Sequence, residues 1–190
     1  TSTNKNISNS LEKLSSGLKI NKASDDASGL AIADKLRTQV TSINQGVSNG
    51  NSAIALLQIA DKSMAEQSKI LDTVKSKLIQ ANTDTTSQAG RTAIAKDVTK
   101  LLDQLNNIAK QTNYNGTTLL QATATNTASK TALSFQVGES NLDLIKTKEI
   151  QANVAGYSLA SLKGHVSNGA ALTAGATAAA AGAFTRAFAS

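Results

Sequence analysis

The feature that most constrains this chain is that its 190 residues include no proline. Proline breaks helices because it lacks a backbone N–H and its ring clashes with the preceding turn. Average usage of about 5% would place roughly nine prolines in a chain of this length. Helices much longer than those of ordinary globular domains are therefore permitted, and the hydrophobic pattern should reveal them.

Residues 27–82 carry one uninterrupted helical pattern. Its apolar residues recur at spacings of three and four, which predicts a heptad-like seam with one three-residue irregularity near Leu57. A helix of roughly 55 residues would be about 80 Å long. The predicted seam of this helix comprises Leu36, Val40, Ile43, Val47, Gly50, Ile54, Leu57, Ala60, Met64, Gln67, Leu71, Val74 and Leu78.

Gly46 and Gly50 lie inside this pattern. Each glycine weakens a helix interior by about 1 kcal/mol relative to alanine. Two interpretations stay open: a tolerated weak point or slight bend, or a place where a neighbouring helix approaches closely.

A shorter helix is predicted before the long one, over residues 4–18. Its apolar stripe consists of Ile7, Leu11, Leu14 and Leu18. Asp25 and Asp26 then supply side chains suited to the start of the long helix.

A third helix is predicted from a polar turn at residues 82–87 to about residue 112. Thr85 and Gln88 have the spacing of a capping box. Two helices joined by a short turn should pack antiparallel. Since two helices bury only part of their seams, we expect a further helix to complete the bundle. The seam of this helix comprises Ile94, Val98, Leu101, Leu105 and Ile108.

The pattern changes after residue 112. Asn115-Gly116 is a strong turn dipeptide, and residues 117–120 and 132–137 are predicted as short strands. Residues 142–150 can continue the β region, residues 157–162 suit either one helical turn or a strand, and residues 164–190 suit either a weak helix or a linker. The predicted fold is mainly α, a long antiparallel helical rod with a small β appendage of hairpins.

Composition excludes several kinds of site. With no cysteine and one histidine, thiolate metal sites and cysteine nucleophiles are excluded, and histidine-based zinc sites and triads are not expected. His165 is interpreted as a loop residue. We therefore expect no enzyme activity, no catalytic residue, no metal and no cofactor.

The charge pattern argues against two classes of partner. The net charge of +6 is scattered along the chain and aromatic residues make up only 3%, so a nucleic-acid surface is not indicated. No apolar run reaches the length of a membrane span, so we expect no membrane insertion.

Two segments resemble the signatures of a known family. Residues 14–21 (LSSGLKIN) and 24–34 (SDDASGLAIAD) are similar to the N-terminal signature of bacterial flagellins, and residues 111–120 (QTNYNGTTLL) are similar to the second signature. The resemblance covers roughly residues 4–140. Residues 53–80 look most like flagellins of the epsilonproteobacterial type.

This resemblance implies a structural subunit of the flagellar filament, secreted and self-assembling, that serves motility. Its implied layers are residues 1–16, the end of the terminal-layer helix; 17–29, a spoke linker; 30–112, the long rod helices; 113–162, the β region of the rod; and 163–190, a linker or weak helix. The implied partners are other flagellin subunits, the flagellar export apparatus and its chaperone. By the same resemblance we expect the chain to be an N-terminal part that does not form filaments alone.

The resemblance also implies a host-interaction ligand as an alternative function. The positions that match the family's face for the innate immune receptor Toll-like receptor 5 are Thr73, Lys75, Lys77, Gln80 and Asp97. The strongly recognised pattern has arginine in place of Thr73 and leucine in place of Lys77. Losing a planar donor and placing an ammonium where an apolar anchor packs should weaken recognition.

Overall fold

A computed structural model describes residues 2–22 and 26–167 of the chain. The described part is mainly helical with two small antiparallel β elements, which confirms the predicted fold class. The residues expected to form a weak helix or linker after position 167 lie outside the described residues, so that prediction stays open. The elements in chain order are α1 (Ser2–Ser16), α2 (Ala27–Ala81), α3 (Gln88–Gln111), β1 (Asn113–Tyr114), β2 (Thr117–Thr118), β3 (Ser134–Gln136), β4 (Leu144–Lys146) and α4 (Ala160–Ser167).

The long helix α2 spans 55 residues, as the unbroken pattern predicted. At its start the backbone N–H of Gly29 donates to Oδ1 of Asp26 at 3.0 Å. Asp26 thus satisfies one of the donors that a helix N-terminus leaves unpaired. Asp25, the other predicted capping residue, lies outside the described residues.

The start of α3 differs from the prediction. Ser87 is the N-cap, and its Oγ accepts a hydrogen bond from the backbone N–H of Gly90 at 3.1 Å. Thr86 lies in the turn between α2 and α3, and its Oγ1 donates to the carbonyl of Gln80, near the end of α2, at 2.7 Å. The capping box predicted from Thr85 and Gln88 is therefore wrong.

Helices α2 and α3 run antiparallel. Lys77 contacts Asp97, and Gln67, earlier on α2, contacts Leu105, later on α3. α4 and the residues before it close this core from a third side. In this part of the chain a further helix, the eight-residue α4, therefore covers the core between α2 and α3. The buried residues of the core are Ile70, Leu71, Val74, Leu78, Ala81, Ile94, Ala95, Val98, Leu102, Leu105, Val154, Leu159, Leu162 and Val166.

Strands β1 and β2 form a hairpin in which Asn113 pairs with Thr118. The turn between them holds Asn115 at φ 50° and Gly116 at φ 81°, the positive values that a tight I′ turn requires. The predicted strand 117–120 ends at Thr118. The two leucines that follow are buried instead in a second core, which comprises Leu56, Ala60, Ala109, Leu119, Leu120 and Ala152.

The chain divides into two compact units. One contains the described residues of Thr1–Gly50 together with Gln136–Ile145, and the other contains Asn51–Phe135 and the described residues from Lys146 onward. Strands β3 and β4 pair with each other as a second two-stranded sheet. Of residues 157–162, which suited either a helical turn or a strand, 160–162 form the first turn of α4 and 157–159 lie before it.

Gly46 and Gly50, the two glycines in the interior of α2, differ in their surroundings. A Cβ added to Gly46 would clash with the backbone carbonyl group of Val137, so the close approach is real, but its partner is an extended segment rather than a helix. The neighbouring Asn49 anchors the same segment by donating from Nδ2 to the carbonyl of Gln136 at 2.8 Å. A Cβ added to Gly50 meets nothing within 4 Å, as expected of a tolerated weak point.

We expect Gly46→Ala to displace the segment around Val137 and to lower the free energy of unfolding by about 1–3 kcal/mol, the usual range for overpacking. Gly50→Ala is the matched control and should raise it by about 0.5–1 kcal/mol, since alanine is the better helix former. Urea unfolding measures both changes. Hydrogen exchange at the Val137 amide, which donates to the Asp143 carbonyl at 3.0 Å, should accelerate only in Gly46→Ala. Equal stability of the two variants would contradict this assignment.

Candidate assembly surface

The long helix α2 carries two stripes of different chemistry. We call the first the inner stripe, because its members are buried or half-buried within the chain. Their spacing alternates between three and four residues, the heptad rule for a helix seam. Its small members allow backbone and leucine side chains to approach the helix. The inner stripe comprises Gly46, Asn49, Ala53, Leu56, Ala60, Ser63, Gln67, Ile70 and Val74.

The second stripe, which we call the apolar stripe, lies beside the first. Val47 follows Gly46, and Ile54 follows Ala53, so each is displaced by about 100° around the helix axis. These side chains are 39% to 60% exposed, although they are large and apolar. The apolar stripe comprises Ile32, Leu36, Val40, Ile43, Val47, Ile54, Leu57 and Met64.

The predicted seam therefore divides into parts. Leu36, Val40, Ile43, Val47, Ile54, Leu57 and Met64 are exposed; Leu71, Val74, Leu78, Ile94, Val98 and Leu105 are buried; and Leu101 and Ile108 are half-buried against the first core. Before Leu71, the buried side of α2 is the inner stripe, which shares Ala60 and Gln67 with the predicted seam. Burial of the exposed seven as a core seam stays a prediction about the assembled protein.

The sequence also contains a pattern of small residues that indicates the inner stripe. Gly46, Ala53 and Ala60 recur at seven-residue intervals. Small residues at a fixed heptad position indicate close packing, as glycine does at Gly46 against Val137. A prediction based on the largest residues assigns Ile54 to the seam, whereas its neighbour Ala53 is the residue that is buried.

Helix α1 also presents an uncovered apolar face. Ile7, Leu11 and Leu14 have the spacing of one helix side, yet all three are exposed and α1 contains no buried residue. Leu18, the fourth member of the predicted stripe, is also exposed but lies beyond the end of α1 at Ser16. A helix of this kind gains most of its stability from packing, because short isolated helices are marginal in water.

The five positions predicted to match a receptor face are only partly grouped. Thr73, Lys77 and Gln80 are four and three residues apart on α2, so they share one side of the helix. Lys77 Nζ lies 2.9 Å from Oδ2 of Asp97 and joins that residue to the group. Lys75 lies two residues from both Thr73 and Lys77, about 200° around the helix axis, so it is on a different side of α2 from the group.

The ion pair between Lys77 and Asp97 sets the electrostatics of this group. The hydrogen bond from the Lys77 ammonium, followed by its charge, lowers the pKa of the Asp97 carboxyl below its ordinary value. Lys100 adds a smaller effect in the same direction. The carboxylate is therefore ionised at neutral pH and engages the Lys77 ammonium.

The described residues offer no metal centre. Within residues 2–22 and 26–167, no group of three or more histidine, cysteine, aspartate or glutamate side chains could hold a metal ion. None of the helices in this described part has the length and apolar character needed to span a membrane.

Comparison with known proteins bears on what these surfaces do. The sequence model of the bacterial flagellin N-terminal helical region matches residues 1–125. The chain is 45% identical to flagellin B of Helicobacter pylori over 148 residues, which covers 75% of this chain and 29% of that protein. It is 48% identical to flagellin A of Helicobacter mustelae over 145 residues, covering 73% and 29%.

A more distant relative matches as well. The chain is 42% identical to a flagellin of Clostridium tyrobutyricum over 115 residues, which covers 60% of this chain and 30% of that protein. The chain thus spans less than a third of the length of the curated relatives it matches. The high identity to the Helicobacter proteins confirms the predicted similarity to flagellins of the epsilonproteobacterial type.

Acid should weaken the contact between α2 and α3 at Asp97. Because the folded-state pKa of this carboxyl is lowered, its contribution to stability is present above the unfolded pKa of 3.8 and is lost as pH falls through the folded value. We expect Lys77→Met to raise the Asp97 pKa measured by carbon NMR titration. Lys75→Met, on another side of the helix, is the control and should leave it in place. An unchanged Asp97 pKa in Lys77→Met would refute the pairing.

Proposed function

Because the chain belongs to the bacterial flagellin family, we propose that it forms part of a structural subunit of the flagellar filament and that this subunit serves motility. The filament lies outside the cell, and its subunits are held together by packing between helices. We propose other flagellin subunits as the main partners, with the flagellar export apparatus and its chaperone as partners before assembly. A structural role, rather than an enzymatic one, is in keeping with this family.

One observation carries the proposal: the apolar stripe of α2 is exposed over Ile32 to Met64. Monomeric soluble proteins rarely leave large contiguous apolar patches in water, and such patches mark interaction surfaces. From Ile32 to Val47 the stripe residues recur every three or four positions, which is the spacing by which helices pack side by side in coiled coils. Burial of this stripe between subunits would stabilise the assembly, because in the single chain its apolar surface stays in contact with water.

The division of α2 into two stripes supports this role further. The inner stripe is occupied by contacts within the chain, including the approach of Val137 to Gly46 and of Leu119 and Leu120 to Leu56. The apolar stripe therefore remains available without unfolding anything. We propose the same availability for Ile7, Leu11 and Leu14 of α1, within residues 1–16 of the terminal layer.

We expect assembly to fail when charge is placed on the apolar stripe. Val40 and Val47 are 56% and 59% exposed, so lysine at both positions should leave the single chain folded. In the filament, each substitution should cost about 1 kcal/mol or more per contact, because apolar burial is lost and an ammonium is desolvated. The test is a chimaera in which this chain replaces the matched region of Helicobacter pylori flagellin A, 140 residues at 47% identity.

The readouts are filament length by electron microscopy and swimming of the cells. Asn44→Lys with Asn51→Lys adds the same charge at two exposed polar positions of α2 and is the matched control. The control should form filaments, and the valine pair should form none or short ones. Long filaments from the valine pair would contradict the proposed role of the stripe, and failure of the unsubstituted chimaera would contradict the proposed function.

As a second candidate function, we propose weak recognition by a host innate immune receptor through the group around Lys77. Two observations favour weakness. The Lys77 ammonium is engaged by Asp97, and Thr73 Oγ1 donates to the carbonyl of Lys69 at 3.0 Å, within its own helix. Neither side chain offers the planar multiple donor or the apolar anchor that dominates protein interfaces.

Thr73→Arg combined with Lys77→Leu should strengthen receptor signalling. A gain of about 1.4 kcal/mol in binding corresponds to a tenfold lower concentration for half-maximal response. A reporter-cell assay with the chimaera measures this shift, and Lys75→Leu serves as the control on a separate side of α2. Potent signalling by the unsubstituted chimaera would overturn the expectation of weak recognition.

A further inference from the structure

Gln67 is a fully buried amide at a core position of the inner stripe, with 0% of its surface exposed. Such a group is costly in a core unless its donors and acceptor are all bonded. Nε2 donates to the carbonyls of Ala152 at 2.8 Å and Leu105 at 3.3 Å, and Oε1 accepts from the hydroxyl of Tyr157 at 3.1 Å. One side chain thus joins α2 to α3 and to the segment that leads into α4.

Three further amides hold the same segment. Asn153, also 0% exposed, donates from Nδ2 to Oε1 of Gln121 at 3.0 Å and to the carbonyl of Thr127 at 2.8 Å. The backbone N–H of Val154 donates to Oδ1 of Asn106 at 3.0 Å. We call these four side chains, Gln67, Asn106, Gln121 and Asn153, the amide clasp.

The clasp discriminates between docking positions in a way that the apolar core does not. Leucine and valine contacts have no direction, and such residues recur every three or four positions on α2 and α3, so a shift by one turn exchanges one for another. A hydrogen bond needs a donor and acceptor about 2.7–3.2 Å apart in the correct direction. The same shift would leave the Gln67 amide and the Ala152 carbonyl buried without partners.

Chain connectivity decides which element depends on this discrimination. The short turn at residues 82–87 already restricts sliding of α3 along α2. Residues 151–159, by contrast, follow α3 only after both β elements, so no short connection fixes where they dock. Their position determines where α4 lies, because Leu159, Leu162 and Val166 are buried in the core with Leu102.

We propose that Gln67 is a positioning residue that selects one docking position of residues 151–159 on α2 and α3, and thereby places α4 over the first core. The role is specificity rather than bulk stability. A single polar residue at a helix core position fixes register in coiled coils by the same physics. The proposal does not depend on the proposed filament function.

The test replaces Gln67 with leucine in the 190-residue chain, which keeps the volume and removes the hydrogen bonds. Helical circular dichroism at 25 °C should be retained. Hydrogen exchange should accelerate at least tenfold at the amides of Val154, Leu159 and Lys163, while the amides of Val74 and Val98 keep their protection. Gln58→Leu, the same change at an exposed position of α2, is the control and should alter neither set.

Selective acceleration supports the proposal. Unchanged exchange at residues 154–163, or equal acceleration at Val74 and Val98, overturns it, because Gln67 would then be irrelevant or an ordinary core residue. If Gln67→Leu loses its helical signal altogether, the same hydrogen-exchange comparison is made on Tyr157→Phe. This variant keeps Gln67 and removes only the hydroxyl that donates to its Oε1. Selective acceleration in that variant supports the proposal, and its absence overturns it.

Discussion

The close packing on one stripe of α2 is the contact on which much of the described structure depends. A single helix of 55 residues cannot bury its own side chains, so their burial depends on the segments that pack against it. Gly46 admits the backbone of Val137, and Ala60 belongs to the core that receives Leu119 and Leu120. Larger side chains at these positions would hold the neighbours away and leave their carbonyls and leucines in water.

The same arrangement explains how one helix can serve two kinds of contact. Large apolar residues occur on a stripe beside the packed one, where nothing in the described residues covers them. Within the chain, small side chains give close approach; at the surface, large side chains offer apolar area for another subunit. The proposed assembly of filaments uses the second set without disturbing the first, so folding of the chain and association between chains draw on different residues.

Apolar burial alone would leave the arrangement of the second unit under-determined. Its core is rich in leucine and valine, which pack with many partners at similar free energy. The buried amides Gln67 and Asn153 add direction, because each is satisfied in one geometry. Among the described residues, Nε of Arg91 is the single buried side-chain nitrogen or oxygen without a partner, so no buried polar atom of the amide clasp is left unbonded.

Much of the fold followed from the sequence. The absence of proline and the heptad spacing predicted the long helix to within one residue at its end, and Asn115-Gly116 predicted the turn between β1 and β2. These features are local, since they depend on backbone chemistry and on periodicity along one element. The predicted cap at Thr85 was wrong: of the adjacent hydroxyls, that of Ser87 accepts from the N–H of Gly90, and that of Thr86 donates to the carbonyl of Gln80.

What the tertiary structure decided was which face of each helix is covered. The sequence places Ile54 and Ala53 side by side on α2 and favours the larger for the core, yet Ala53 is the one that is buried, at 6% exposed against 56% for Ile54. It likewise shows a glutamine at position 67 without showing that carbonyls from two other elements converge on it. Helix periodicity is a property of one segment, whereas burial and hydrogen bonding are properties of pairs of segments that are distant in the chain, and only the folded chain brings those pairs together.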